Sequence, residues 1–191
     1  MRNFYRLAAN VNVGALMLQL STKPQLWNQN TMRQDASIEI DGETFETPHS
    51  NVDDIWLRMQ KPDCIDIRES VNYPAMAELP EARKLIQAVM NDVGGERIGR
   101  CMITRLPCGM EIGEHVDIGD DLRIYYDNEQ YYSRFHVVLQ GLPGSLFHCG
   151  DETVVMQTGE VWWFDNSVKH SVINNSEDDR IHMIIDIRVL S

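Results

Sequence analysis

The chain has 191 residues, 43% hydrophobic and 24% charged, which is enough for one domain with a sizeable core and ordinary for a globular protein. No uninterrupted apolar run reaches the roughly 18–20 residues needed to cross a bilayer, so no membrane partner is expected. Seventeen Lys and Arg against 29 Asp and Glu give a net charge of −12, which disfavours partners held through phosphate and so excludes nucleic acid from the expected substrates.

The four cysteines, Cys64, Cys101, Cys108 and Cys149, contain no C-x-x-C pair, which fits a reducing compartment and a cytoplasmic protein. Leu7 to Leu20 follows Arg2 and Arg6 as the apolar part of an export leader would, but Asn10 and Asn12 interrupt it and no small-residue cleavage site follows. Up to about Gln60, apolar residues mix with Asn, Thr, Gln and Asp without a sustained period. This third therefore reads as short helices and strands packed on a main domain. Ile38-Glu39-Ile40 followed by Asp41-Gly42 predicts a strand entering a tight turn, and Ile55, Leu57 and Met59 alternate as a short strand. From Pro80, the residues Leu85, Ile86, Val89, Met90 and Val93 recur at helical spacing, and Gly94-Gly95 supplies the left-handed cap that ends the helix.

After Gly95 the pattern changes to short β-rich segments between turn signals. Strands are predicted over 97–106, 111–115, 132–140, 145–149, 153–156, 161–164, 170–173 and 180–189, with a Pro107-Cys108-Gly109 turn and a polar insertion over 119–131 that is rich in Asp and Tyr. A run of strands with no helix between them predicts a mainly β fold with a helical cover, a double-stranded β-helix of the jelly-roll or cupin-like kind. On this reading residues 1–191 form a single domain, with 1–95 as the cover and 96–191 as the core barrel.

The sharpest chemical pattern is His115-Val116-Asp117 followed much later by His170. Residues i and i+2 of a strand project to the same side, so His115 and Asp117 can close on one ion while a neighbouring strand supplies His170. Two imidazoles and one carboxylate on one face leave open positions, the donor set suited to non-haem Fe(II). H-x-D also arises by chance, and a polar turn residue near Gly113 and Gly119 is the other reading of His115. Further on, Arg180, His182 and Asp186 alternate with Ile181, Met183, Ile185 and Ile187, and Arg134 and His136 alternate with Phe135, Val137 and Leu139. A solvated strand face is one reading of each. Two Arg-x-His faces beside an H-x-D…H set favour a polar barrel lumen, where an arginine fork binds one end of a dicarboxylate. Trp162-Trp163-Phe164 reads as barrel packing, His148-Cys149 as a strand end, and Asp165, Asn166 and Asn174 as turn and cap residues. Tyr125, Tyr126, Tyr131 and Tyr132 form either a lid or a loop packed on itself. His49 has no partner in sequence and is assigned no role.

From about Gly99 to Ser191 the sequence resembles the aspartyl/asparaginyl β-hydroxylase family of Fe(II)- and 2-oxoglutarate-dependent oxygenases, which includes bacterial free-proline hydroxylases. The stretches that carry the resemblance are R-L-P-C-G-M-E-I-G-E-H-V-D, R-F-H-V-V-L, T-G-E-V-W-W-F-D-N-S-V-K-H-S-V-I-N and D-R-I-H-M-I-I-D. The resemblance implies His115, Asp117 and His170 as iron ligands and Arg180 with Thr104 on the distal carboxylate of 2-oxoglutarate. It further implies Arg134 and His136 toward the cosubstrate's other end, and His182 shares that Arg-x-His setting. Ile55 to Gln60 is a weaker echo of a segment that lies near substrate in the family. The vertebrate endoplasmic-reticulum members that act on EGF-like domains carry a small residue where this chain has Asp117, so the small-molecule branch is the better analogy. The retained carboxylate also argues against halogenation. The implied activity is hydroxylation of an amino acid, an amino-acid derivative or a protein side chain, using O₂ and releasing succinate and CO₂. Acidic residues of the insertion, Asp120, Asp121, Asp127 and Glu129, would favour a substrate with an amine or basic group. The alternatives are a non-catalytic cupin-like binding protein and a cupin enzyme that uses another divalent metal.

Overall fold

The computed structural model describes residues 2–40, 43–60, 70–117 and 132–189. The polar insertion, Cys64 and the acidic and tyrosine residues over 119–131 lie outside them. With strands numbered in chain order, the larger sheet runs β1 (Phe4–Ala8), β11 (Val161–Phe164), β8 (Ser133–Gln140), β13 (Arg180–Val189), β6 (Gly95–Leu106), β4 (Asp53–Gln60) and β5 (Ser70–Asn72), and neighbours pair antiparallel. A smaller antiparallel sheet runs β10 (Glu152–Val154), β9 (Ser145–Cys149), β12 (His170–Asn174) and β7 (Glu111–His115). β2 (Ser37–Ile40) and β3 (Glu43–Glu46) pair as a separate two-stranded sheet, and the turn expected at Asp41-Gly42 lies outside the described residues. The architecture is the double-stranded β-helix expected from the strand pattern.

Each sheet of such a fold must bury an apolar face, and here the larger sheet buries both. Its outer face joins Ile55, Leu57, Ile103, Val137, Leu139, Met183, Ile185 and Ile187 to Leu16 and Leu20 of α1 (Gly14–Ser21), Met76 of α3 (Pro74–Glu78) and Ala82, Ile86 and Val89 of α4 (Pro80–Asp92). Its inner face meets the smaller sheet, where Phe4, Leu106, Val138 and Phe164 pack on Ile112, Phe147, Cys149 and Val172. A short α2 (Met32–Asp35) brings Arg33 toward the sheet. Turn chemistry fits these elements. Gly94 closes α4 at φ 62° and Gly109 turns β6 into β7 at φ 78°, left-handed conformations that cost a side chain.

The N-terminal third does more than cover the barrel. β1 extends the larger sheet by pairing with β11, and β4 and β5 extend its other side, so Phe4 and Trp56 enter the interior. The β1–β11 and β4–β6 pairings join segments more than 40 residues apart, which local periodicity cannot reveal. Strand β10 is also displaced from the predicted 153–156, because Glu152 pairs directly with Cys149 across a tight turn. Among the described residues no helix is long and apolar enough to cross a membrane.

The apolar face of β13 yields a prediction. Ile185 is fully buried, so Ile185→Ala should lower unfolding free energy by about 2–5 kcal/mol. Leu18, 67% exposed, should cost no more than about 0.5 kcal/mol when changed to Ala. Denaturant midpoints of the two variants check this.

Candidate active site

The site grows from one strand pair. β7 and β12 place His115 directly opposite His170, and Asp117 follows two residues after His115. One ligand atom from each of the three residues lies within 4.8 Å of the others. His115 Nδ1 sits 2.8 Å from the Gly113 carbonyl, and His170 Nδ1 sits 2.9 Å from the Val168 carbonyl. A carbonyl only accepts, so each Nδ1 carries the ring proton and each Nε2 offers a lone pair. Both Nε2 atoms approach Asp117, at 3.9 Å from Oδ1 for His115 and 3.5 Å from Oδ2 for His170. This is the donor chemistry of a divalent-metal centre: two neutral imidazoles with fixed tautomers and one carboxylate.

That carboxylate is held ionised from behind. Arg134 Nη1 lies 2.5 Å from Asp117 Oδ2, while its Nε and Nη2 grip Asp186 at 2.7 and 3.0 Å. Arg100 Nε donates to the same Asp186 at 3.0 Å. Burial pushes the Asp117 carboxyl up, but Arg134, His170 and Arg100 outweigh it and hold the group well below the usual carboxylate range. Asp186 is likewise held down against its burial by Arg134 and Arg100. The resemblance points Arg134 at the cosubstrate. The structure commits its fork to Asp186 and to the Asp117 carboxylate.

Across the lumen, β13 and β8 present the other charged face. Arg180 Nη2 lies 3.1 Å from His182 Nδ1, and His136 Nδ1 lies 3.2 Å from that same atom. A guanidinium only donates, so His182 Nδ1 accepts and His136 Nδ1 donates to it. Both imidazoles are pushed well below the ordinary range by burial and then by the Arg180 charge, so they are neutral at pH 7. This tautomer pair leaves His136 Nε2 as a buried acceptor and His182 Nε2 as a buried donor, and neither has a partner. Thr104, opposite His182 on β6, buries an Oγ1 with no partner.

Arg180 itself is 3% exposed, and among the described residues no carboxylate lies within 4.0 Å of its guanidinium. Its one aromatic neighbour is Phe147, 5.6 Å from the ring centroid. Burial alone pushes it down to about 9. A buried, unpaired cation is expensive, and an anion in the lumen would compensate it.

His49, assigned no role from its sequence context, packs its ring edge-on against His115 at 4.7 Å and buries an Nδ1 with no partner among the described residues. Burial, then Arg33 and His115, push it down to about 2. Its signal was weak: the residue lies in a turn far from the other histidines in sequence. Elsewhere His148 Nδ1 meets Thr153 Oγ1 at 2.8 Å, and Cys149 Sγ lies 3.4 Å from the Asp165 carbonyl, so this pair serves the strand end. Asn174 ties the loops around β12 by donating to the Leu106 and Asp178 carbonyls at 2.9 Å.

The geometry predicts that Arg134 sets metal affinity without touching the metal. Losing a group that orients a ligand typically costs 10–100-fold in affinity, so Arg134→Met should weaken divalent-metal binding by about that factor and Asp117→Ala by more. Anaerobic calorimetric titration with Fe(II) checks both, and near-ultraviolet circular dichroism confirms the fold of each variant.

Comparisons with known proteins give the family and the fold. Against L-proline cis-3-hydroxylase 1 of a Streptomyces species the chain is 29% identical over 111 residues, 58% of this chain. The chain spans about a third of that relative's length, since the match covers 35% of it. A 2OG-Fe(II) oxygenase-family oxidoreductase from Burkholderia pseudomallei superposes with a TM-score of 0.52 at 14% identity, covering 95% of this chain and 97% of that one. A viral collagen prolyl hydroxylase from Paramecium Bursaria Chlorella virus-1 superposes with a TM-score of 0.54 at 9% identity, covering 100% and 97%. These two share the fold. The family model for aspartyl/asparaginyl beta-hydroxylase matches residues 19–189, nearly the whole chain, and the protein belongs to that family.

Proposed function

We propose that the protein is an Fe(II)- and 2-oxoglutarate-dependent hydroxylase working as a single oxygenase domain in the cytoplasm. Its prime substrate is an amino acid, an amino-acid derivative or a protein side chain, and it carries an amine or basic group. Family membership and the hydroxylase named among its relatives support the reaction class. The net charge of −12 favours a cationic partner over a phosphorylated one.

The observation that carries the reading is Arg180. A buried guanidinium with no acidic partner among the described residues, beside a Thr104 hydroxyl unpartnered among them and two half-satisfied imidazoles, fits a cosubstrate that brings its own carboxylate. His115, Asp117 and His170 fit Fe(II) because both Nε2 lone pairs and one ionised oxygen converge. When bound, Fe(II) with O₂ and 2-oxoglutarate supplies oxidative decarboxylation to succinate and CO₂ and transfer of one oxygen atom to a C–H bond.

The chain's own residues prepare that chemistry. His115, Asp117 and His170 hold the metal from one side and leave the rest of its coordination to ligands. Arg134 keeps Asp117 ionised and oriented. Arg180 donates to the distal carboxylate of 2-oxoglutarate, and Thr104 Oγ1 donates beside it. His182 Nε2–H and His136 Nε2 face the same lumen as a fixed donor and acceptor, which orients the cosubstrate between Arg180 and the triad. The Phe147 and Phe164 rings pack against His170 and exclude water from that side.

Removing a charge-assisted pair from a secluded site costs on the order of 2–5 kcal/mol, so Arg180→Met should weaken 2-oxoglutarate binding about tens-fold or more. Metal affinity should hold. Calorimetry of 2-oxoglutarate into Mn(II)-loaded protein measures this. Wild-type affinity in Arg180→Met would mean the lumen anion site is not for 2-oxoglutarate.

A further inference from the structure

The lumen face continues past the cosubstrate residues onto β4, where a buried carboxylate is only half used. Asp54 pairs with Thr104 across β4 and β6, and Thr104 pairs with His182 across β6 and β13. Paired residues project to the same side of a sheet, so Asp54 points into the same interior. It is 1% exposed. Its Oδ2 accepts from Arg33 Nη1 at 2.6 Å, whereas its Oδ1 is buried with no hydrogen-bond partner. No step derived above uses it.

A chain of neighbouring groups links this carboxylate to the His115, Asp117 and His170 cluster. Arg33 Nη1 also lies 2.9 Å from Met102 Sδ, and Met102 packs with Trp56 and Ile184. Trp56, two residues after Asp54, pairs with Met102 and buries an indole Nε1 with no acceptor. Arg33 is among the charges felt by His49, together with His115 and Asp117, and His49 packs on His115. One strand therefore offers, side by side, an anionic acceptor lacking a donor and a neutral donor lacking an acceptor. A buried oxygen of this kind is costly to leave unpaired, and a cationic donor matches it best.

We propose that Asp54 Oδ1 receives the protonated amine of the prime substrate while Trp56 Nε1 donates to the carboxyl group beside that amine, making Asp54 a specificity-determining residue for a free α-amino acid. This rests on the hydroxylase reading above. Arg33 holds Asp54 in place, and its own charge is neutralised by that pair, so it does not repel the incoming ammonium. A peptide-bonded residue lacks the charged amine and would leave Oδ1 unpaired.

The test is steady-state succinate release by the Fe(II)-loaded protein, with each of the common L-amino acids and its Nα-acetyl derivative as probes. A free amino acid should stimulate release, and acetylation should reduce its kcat/KM by about tenfold or more, the equivalent of one lost charged hydrogen bond. In Asp54→Asn, the KM for that amino acid should rise about tenfold or more relative to the KM for 2-oxoglutarate. The acetyl comparison needs no variant, so it stands if Asp54→Asn folds poorly. Equal stimulation by the acetylated probe, or an unchanged KM ratio in Asp54→Asn, overturns the proposal. So does a panel without any stimulating amino acid when unstimulated succinate release persists, and that result leaves the oxygenase reading intact. If release is absent with every probe, the oxygenase reading fails once peptides also leave 2-oxoglutarate unchanged. Thermal-shift binding of the same panel then decides on Asp54: a shift with the free amino acid that acetylation removes supports it, and no shift overturns it.

Discussion

Everything in this molecule depends on a strand that is buried on both faces and apolar on only one. β13 sits between β8 and β6, with Met183, Ile185 and Ile187 against the helices and Arg180, His182 and Asp186 in the interior. Charges taken out of water must be paired or they destabilise the fold by several kcal/mol. Asp186 is paired twice, by Arg134 and Arg100, and Arg134 passes the pairing on to Asp117. The buried ions at that end of the lumen therefore compensate one another and hold the Asp117 carboxylate in place. Arg180, at the other end, is left for a ligand.

This division explains how one lumen can be rigid and receptive at once. Beside His115 and His170, the Arg134 fork spends three of its donors on two carboxylates, so no reorganisation is needed to present Asp117. Around Arg180, three polar atoms on Thr104, His136 and His182 remain without partners. Native proteins satisfy most buried polar groups, and a cluster of exceptions facing one interior marks where a ligand completes the set. Asp54 and Trp56 extend the exceptions toward β4.

Much of this was readable from the sequence, for stated reasons. The ends of α4 and β6 were marked by turn residues whose φ requirements are local, Gly94 and Gly109. The His115–Asp117 dyad follows from the two-residue period of a strand, and the joint Arg-x-His pattern of β8 and β13 pointed to a polar lumen. Long-range register was not readable. Nothing local says that Asp186 lies opposite Arg134, that Asp54 lies opposite Thr104, or that β1 joins β11. The role of Arg134 and the places of His49, Arg33 and Asp54 all depend on such pairings, which is why pattern alone left them open. The alternation of Ile55, Leu57 and Met59 suggested a short strand, and β4 is that strand. It buries Asp54 and Trp56 as well, which the alternation did not show.

The central claim is that the two ends of this lumen, a metal triad and a buried unpaired arginine, work together on 2-oxoglutarate. The most direct measurement is the stoichiometry of succinate formed to 2-oxoglutarate consumed, with purified protein, added Fe(II) and air. The account predicts succinate equal to the 2-oxoglutarate lost, with no reaction when Fe(II) is chelated or oxygen removed. Unchanged 2-oxoglutarate under air with Fe(II) and a full panel of amino acids and peptides would contradict it.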